Sequence, residues 1–230
     1  MKQAKNNCDL KSCFFCTLCL KEWLPAVDDH RKTFHYKKGE VIFQEGGVVK
    51  GVYFIYTGKV KVHKKWGDKE LIIRLASPGQ MFGHRGLGHN TLYPVSATAL
   101  EPAEICFIDI DFFITTLKVN MNFLYQLMLL FADDLQESER KMRNLAHMPV
   151  RGRLAQALLA WDTQFGRTKE GSINIQLSRQ DIASYLGSTY ETVFRLINDL
   201  IEEKLIEVSG KNIFIKEPEK LLIVTQESIA

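Results

Sequence analysis

The chain has 230 residues, 46% of them hydrophobic, which is enough to build packed cores in more than one domain. It carries 30 Lys and Arg against 27 Asp and Glu, and residues 149–230 hold 10 basic against 11 acidic side chains, so any contact with nucleic acid must come from local groups and not from a basic domain. The longest apolar stretch, Phe123 to Ala132, is interrupted by Gln126 and falls short of the roughly 20 residues that a bilayer span needs. Cys13 to Leu20 is too short, and too closely flanked by Asp9, Lys11, Lys21 and Glu22, for a secretory leader, so the expectation is a cytoplasmic protein with no membrane partner.

In chain order, the first feature is a cluster of four cysteines, Cys8, Cys13, Cys16 and Cys19, with the fifth far away at Cys106. Disulfides are rare in a reducing cytoplasm, so such a cluster points to a metal, an iron–sulfur cluster or a redox switch; zinc is disfavoured because its paired knuckles are missing. The alternative is plain packing, since the cysteines are interleaved with Phe14, Phe15 and Leu18. Residues 34–110 then change grammar. Short alternating runs such as Val52-Tyr53-Phe54-Ile55-Tyr56 and Lys59-Val60-Lys61-Val62-His63 are punctuated by Gly39, Gly46, Gly47, Gly51, Gly58, Gly67, Gly79 and Gly83, which predicts a small antiparallel barrel or roll.

Leu124, Leu127, Met128, Phe131 and Leu135 recur at helical spacing and predict one long helix over Asn120 to Leu145. Pro149 disfavours helix at the residue before it, so His147-Met148-Pro149-Val150 reads as a hinge. Beyond the hinge, Ile182, Ala183 and Leu186 share one helical face, Gly187 supplies a left-handed turn residue, and Val193, Leu196 and Leu200 resume the stripe. That is a helix-turn-helix. Ser188 or Thr189 can cap the second helix, from whose exposed side Glu191 and Arg195 project four residues apart. An acid can accept from cytosine N4 and an arginine can donate both fork hydrogens to guanine O6 and N7; the alternative is a solvated ion pair.

The motif Asp181-Ile182-x4-Gly187-x3-Glu191-Thr192-Val193-x-Arg195, followed by Leu205-Ile206-x3-Gly210-Lys211-x-Ile213-x-Ile215, resembles the winged helix-turn-helix of the Crp/Fnr family of bacterial transcription regulators. Lys38-Gly39-Glu40, Glu45-Gly46, Gly58-Lys59-Val60 and Pro78-Gly79-x2-Phe82-Gly83 resemble the cyclic-nucleotide-binding fold of the same family. The resemblance implies an α+β chain with four parts: a Cys-rich arm over 1–30, an effector β-roll over 31–118, a dimerisation helix over 119–147 and a winged helix-turn-helix over 148–230. It implies a homodimer on a two-fold double-stranded DNA operator, with RNA polymerase as a further partner if the protein activates. DNA contacts are expected from Ser178, Arg179, Gln180, Ser188, Thr189, Tyr190, Glu191, Thr192, Arg195 and Lys211. At position 194 this chain has Phe, where related proteins often carry Gly or Ser, so their base sequence does not carry over.

Cyclic-nucleotide binders of this family hold the ribose with Gly-Glu-Leu and the phosphate with Arg-Ser. This chain has Gly83-His84-Arg85 and Tyr93-Pro94-Val95-Ser96 at those places. Without the second guanidinium an anionic phosphate loses its charge-assisted bond, so the pocket of Gly83, His84, Arg85 and Ser96 is not expected to take cAMP unless Arg85 or His84 substitutes. Oxygen-sensing members hold an iron–sulfur cluster with three N-terminal cysteines and one in the roll, the place that Cys106 resembles; the spacing of Cys8, Cys13, Cys16 and Cys19 differs from theirs. Haem is a further possibility, with His30, His35, His63, His84 and His89 as axial ligands. The rival class is a Cys-dependent enzyme built on Cys106, His84, His89 and Asp109. No phosphate loop or nucleophile elbow frames those residues, and the chain is not expected to be an enzyme.

Overall fold

The computed structural model describes residues 3–4 and 13–226, so Cys8 lies outside the described residues. The chain divides into two compact units, 1–134 and 135–230.

Unit 1–134 opens with strand β1 (Gln3–Ala4), helix α1 (Phe14–Leu18), a 3-10 turn and helix α2 (Leu24–His30). The roll follows as β2 (Arg31–Tyr36), β3 (Val41–Phe43), β4 (Gly51–Thr57), β5 (Val60–Trp66), β6 (Lys69–Ala76), β7 (Met81–Phe82), β8 (Ser96–Ala99) and β9 (Ala103–Asp109). Two antiparallel sheets result, in strand order β1-β2-β9-β4-β7 and β3-β8-β5-β6.

Successive side chains of a strand point to opposite faces, and the central strands bury both. Tyr53 and Ile55 of β4, with Ile105 and Phe107 of β9, face the interior between the sheets and pack with Phe43, Phe82 and Tyr93. Val52 and Phe54, with Cys106 and Ile108, face outward into a second core. That second core is closed by the arm and by the segments after the roll. Phe15 of α1 meets Phe54 edge-on at 5.2 Å and Phe123 at 5.1 Å, and Val27 and Phe113 complete the cluster.

Strand β9 passes into helix α3 (Ile110–Val119) with no loop, because Asp109 ends the strand and caps the helix by accepting from the Asp111 N–H at 3.0 Å. The run Ile110-Asp111-Phe112-Phe113-Ile114 reads locally as more strand, and the sequence reading missed this helix for that reason. The long helix is present as α4 (Met121–His147), starting one residue later and ending two residues later than expected. Its start is set by Asn120, whose side-chain oxygen accepts from the Phe123 N–H at 3.1 Å.

Unit 135–230 contains α5 (Val150–Phe165), α6 (Arg179–Leu186), α7 (Tyr190–Glu202), the hairpin β10 (Ile206–Ser209) and β11 (Asn212–Ile215), and α8 (Pro218–Val224). Leu154, Leu158 and Trp161 of α5 are buried in this unit, as are Ile182, Ala183 and Leu186 of α6 and Val193, Ile197 and Leu200 of α7. The hairpin pairs Ile206 with Ile215 and Ser209 with Asn212, which leaves Gly210 and Lys211 as a two-residue turn.

Candidate functional site

The helix-turn-helix is built by local chemistry. Ser178 accepts from the Asp181 N–H at 3.0 Å while Asp181 accepts from the Ser178 N–H at 3.2 Å, a reciprocal capping box that starts α6. Gly187 ends it at φ 59°, ψ 46°, the left-handed conformation that costs an L side chain most and glycine least. Of the two cap candidates for α7, Thr189 is used: its hydroxyl accepts from the Thr192 N–H at 3.3 Å and lies 3.0 Å from the Thr192 hydroxyl.

With Val193, Leu196, Ile197 and Leu200 turned inward, α7 presents Tyr190, Glu191, Phe194 and Arg195 outward as one exposed stripe. Among the described residues no ion pair joins Glu191 to Arg195, so both polar ends are available to a ligand. Gln180 and Lys211 are exposed as well, while Thr192 and Ser188 are half-buried. Arg179, at the first position of α6, is partly buried, which draws its pKa below the ordinary guanidinium range, while the nearby Tyr190 hydroxyl works the other way. The Ser178 and Thr189 hydroxyls, expected as phosphate contacts, serve the helix ends here.

The effector residues separate into two places. Gly83, at φ 82°, starts a 3-10 turn that carries His84 and Arg85. Both reach Asp134 of α4: His84 Nε2 lies 3.0 Å and Arg85 Nη2 3.1 Å from its Oδ2, and Arg74 Nη1 stands 3.8 Å from Oδ1. His84 is only 2% exposed, and burial, with the two arginines, outweighs Asp134 and lowers its pKa. With Nε2 carrying the proton it donates to the carboxylate, and Nδ1 has no partner among the described residues. Burial opposes the charge on Asp134, but the bond from His84 and the charges of Arg74 and Arg85 win and hold its carboxyl at about 2. Ser96 lies elsewhere in the roll, where its hydroxyl accepts from the Glu45 N–H at 2.9 Å. Sequence reasoning named His84 and Arg85 but missed Asp134 and Arg74.

Cys13, Cys16 and Cys19 are buried in the same apolar cluster as Cys106, which sits in β9 between Thr33 of β2 and Phe54 of β4. Burial pushes the Cys19 thiol up, against the opposing pull of Asn120 and the Leu20 backbone. Four thiols in one core suit an iron–sulfur centre by donor type. In their present arrangement they do not form a ligand set: no three His, Cys, Asp or Glu side chains among the described residues converge on a metal position. Most of the candidate haem ligands have other contacts. His30 stacks on Phe112 at 4.0 Å, His35 lies 3.3 Å from Glu104, His63 bonds Thr98 at 2.9 Å, and His84 bonds Asp134. No described helix is long and apolar enough to cross a membrane.

Two family models match the chain, Cyclic nucleotide-binding domain over residues 33–120 and Crp-like helix-turn-helix domain over 152–223. The chain is 31% identical to the cAMP-activated global transcriptional regulator CRP of Pasteurella multocida over 197 residues, 84% of this chain and 93% of that one. It is 27% identical to the transcriptional activator protein Anr of Pseudomonas protegens over 237 residues, 99% of this chain and 96% of that one. Among solved structures, FixK2 from Bradyrhizobium japonicum superposes with a TM-score of 0.77 at 25% identity, covering 87% of this chain and 99% of that one.

Proposed function

We propose a function from the premise that this chain belongs to the Crp/Fnr family of DNA-binding transcription regulators, and is not an enzyme: a homodimer reads a two-fold operator through α7, and the signal enters through the thiol core and not through cAMP. The observation that carries the DNA reading is the exposed stripe of Glu191 and Arg195 on the capped first turns of α7. In that position a guanidinium reaches guanine and a carboxylate reaches cytosine, with Gln180, Arg179 and Lys211 as neighbouring positioning contacts.

Dimer formation is supported by α4. Met121, Leu124, Tyr125, Met128, Leu129 and Phe131 leave large apolar surfaces exposed on one helix, which a second copy of the same helix would cover by two-fold symmetry. Sedimentation of the purified protein tests it, with dimer expected and with Met128→Glu shifting the equilibrium to monomer.

Support for a redox signal comes from the shared core of Cys13, Cys16, Cys19 and Cys106, which also contains Phe123 and Leu127 at the root of α4. Chemistry at the thiols, or at iron held by them, therefore repacks the base of the proposed dimer helix, and a coupling of about 1–3 kcal/mol is enough to switch DNA affinity. The experiment compares operator binding of anaerobically prepared protein, supplied with iron and sulfide, before and after air exposure, beside Cys16→Ser and Cys106→Ser. Equal binding by all three proteins in both states, with no iron retained, rejects this signal.

A second reading, control by a cyclic nucleotide, draws on the family match over 33–120. Against it, Pro94 and Val95 stand where Arg-Ser is needed, and Arg85 already holds Asp134. Titration calorimetry with cAMP decides: a dissociation constant of about 10 micromolar or tighter, abolished by Arg85→Ala, would restore the cyclic nucleotide as effector.

A further inference from the structure

We propose that Tyr190 and Phe194 form an apolar reading surface on α7 that selects thymine, through its 5-methyl group, beside the base that Arg195 reads. The inference rests on α7 entering the major groove of an operator, and it adds a base that the guanidinium does not choose.

Tyr190 is 44% exposed and Phe194 49% exposed, on a helix whose inward positions are already filled by Val193, Leu196, Ile197 and Leu200. Neither ring belongs to the core of its unit. They lie four residues apart, so they share a face, and their planes are near parallel at 12° with centroids 6.2 Å apart. The result is an aromatic ridge running along the helix next to the ridge of Glu191 and Arg195, about 100° away around the axis. Both ridges start at the end of α7 capped by Thr189, which is the end that meets base edges in helix-turn-helix docking. Arg179 lies close enough for the Tyr190 hydroxyl to act on its charge.

The chemistry of the rings narrows what they can read. Phe194 has no donor or acceptor, so it cannot pair with the edge of a purine or with cytosine N4. The apolar group that a base pair offers in the major groove is the thymine methyl, and contact with it is the readout open to a phenyl ring. Covering that methyl with a ring already exposed to water removes apolar surface on both sides. One methyl is worth about 0.8 kcal/mol, or about fourfold in affinity. Related Crp/Fnr proteins often carry Gly or Ser at position 194, so the thymine reader belongs to this chain's own Phe194.

The test uses the full chain. Operators are first selected from random duplex DNA, and each thymine of the selected site is then replaced singly by deoxyuridine, which deletes the methyl and nothing else. We expect one position per half-site to weaken binding about fourfold, and about 15-fold when both half-sites are changed. Phe194→Ser should bind the thymine and deoxyuridine operators equally while still requiring the guanine read by Arg195. Phe194→Leu, which keeps an apolar contact on the same face, should retain the discrimination, and matching melting temperatures confirm that both variants fold. If no deoxyuridine position costs affinity, or if Phe194→Ser discriminates as the parent does, the thymine reading is overturned while the operator reading stands. If the selection returns no sequence and all DNA binds alike, both fall.

Discussion

In residues 135–230 the polar side chains that matter project outward. Glu191, Arg195 and Lys211 are exposed on a frame held by caps and a buried apolar face. In residues 1–134 the comparable basic side chains turn inward, where Arg74, His84 and Arg85 close on Asp134. The difference teaches what each half is suited to. A surface that must recognise varied base edges keeps its donors and acceptors open, whereas a site that already supplies its own anion is suited to holding an arrangement until something changes it.

The largest effect that would sharpen this comparison is expected in the inward-facing half. Phe15→Ala removes a fully buried ring that bridges the arm, β4 and α4, and should cost about 3–5 kcal/mol in urea unfolding of the unit 1–134. The winged helix-turn-helix transition should stay where it was. A loss of similar size in both units would break the distinction between them.

Arg195→Ala should cost about 1–3 kcal/mol on the selected operator and relax one base pair per half-site, with non-specific binding unchanged. Equal loss on every DNA, measured by fluorescence anisotropy, would make Arg195 a phosphate contact. Its folding stability should barely move, because the side chain is exposed.

Asp134→Asn leaves two buried or half-buried guanidinium groups without their carboxylate and should cost about 2 kcal/mol of stability near neutral pH. The pH dependence has a definite sign. The Asp134 carboxyl is held at about 2, below its ordinary value, so its contribution is full above the ordinary carboxylate range of about 4 and is lost as pH falls toward about 2. His84 is also lowered, by burial first, so the folded unit prefers it neutral and loses stability as pH falls below about 6.5. Denaturant titrations of the wild type and of His84→Gln should diverge only below that value.

The smallest expected effect returns to the outward-facing half. Thr189→Ala removes the cap of α7 and should lower the stability of its unit by about 1 kcal/mol. Thr189→Asn should restore most of it.

The DNA half was legible because its signals are local. Ser178 and Asp181 lie three residues apart, Gly187 needs a left-handed turn, and the apolar stripe of α7 repeats at helical spacing. The half that contains the β-roll was legible only in outline. Gly and alternation marked the strands, but the partner of His84 and Arg85 lies some fifty residues away on another element, and nothing near Asp134 announces it. The helix α3 was hidden by β-prone residues that tertiary packing overrides. The arm helices are too short for periodicity to show. Tyr190 was recognised as part of the reading helix and Phe194 as a departure from the family, yet their stacking was missed although the four-residue spacing of two aromatics was in plain view.

The two-faced strand β9 also has a consequence for how the protein is made. It lies between β2 and β4, pairing Thr33 and Phe54 with Cys106, so the central strand of the five-stranded sheet leaves the ribosome after all its neighbours except those that close over it. Contacts so distant in sequence form late. Until synthesis passes Leu127, Phe15 has no Phe123 to meet and the core that buries the arm's thiols is incomplete. The nascent chain therefore passes through an interval in which Cys13, Cys16 and Cys19 are open to oxidants and metal donors.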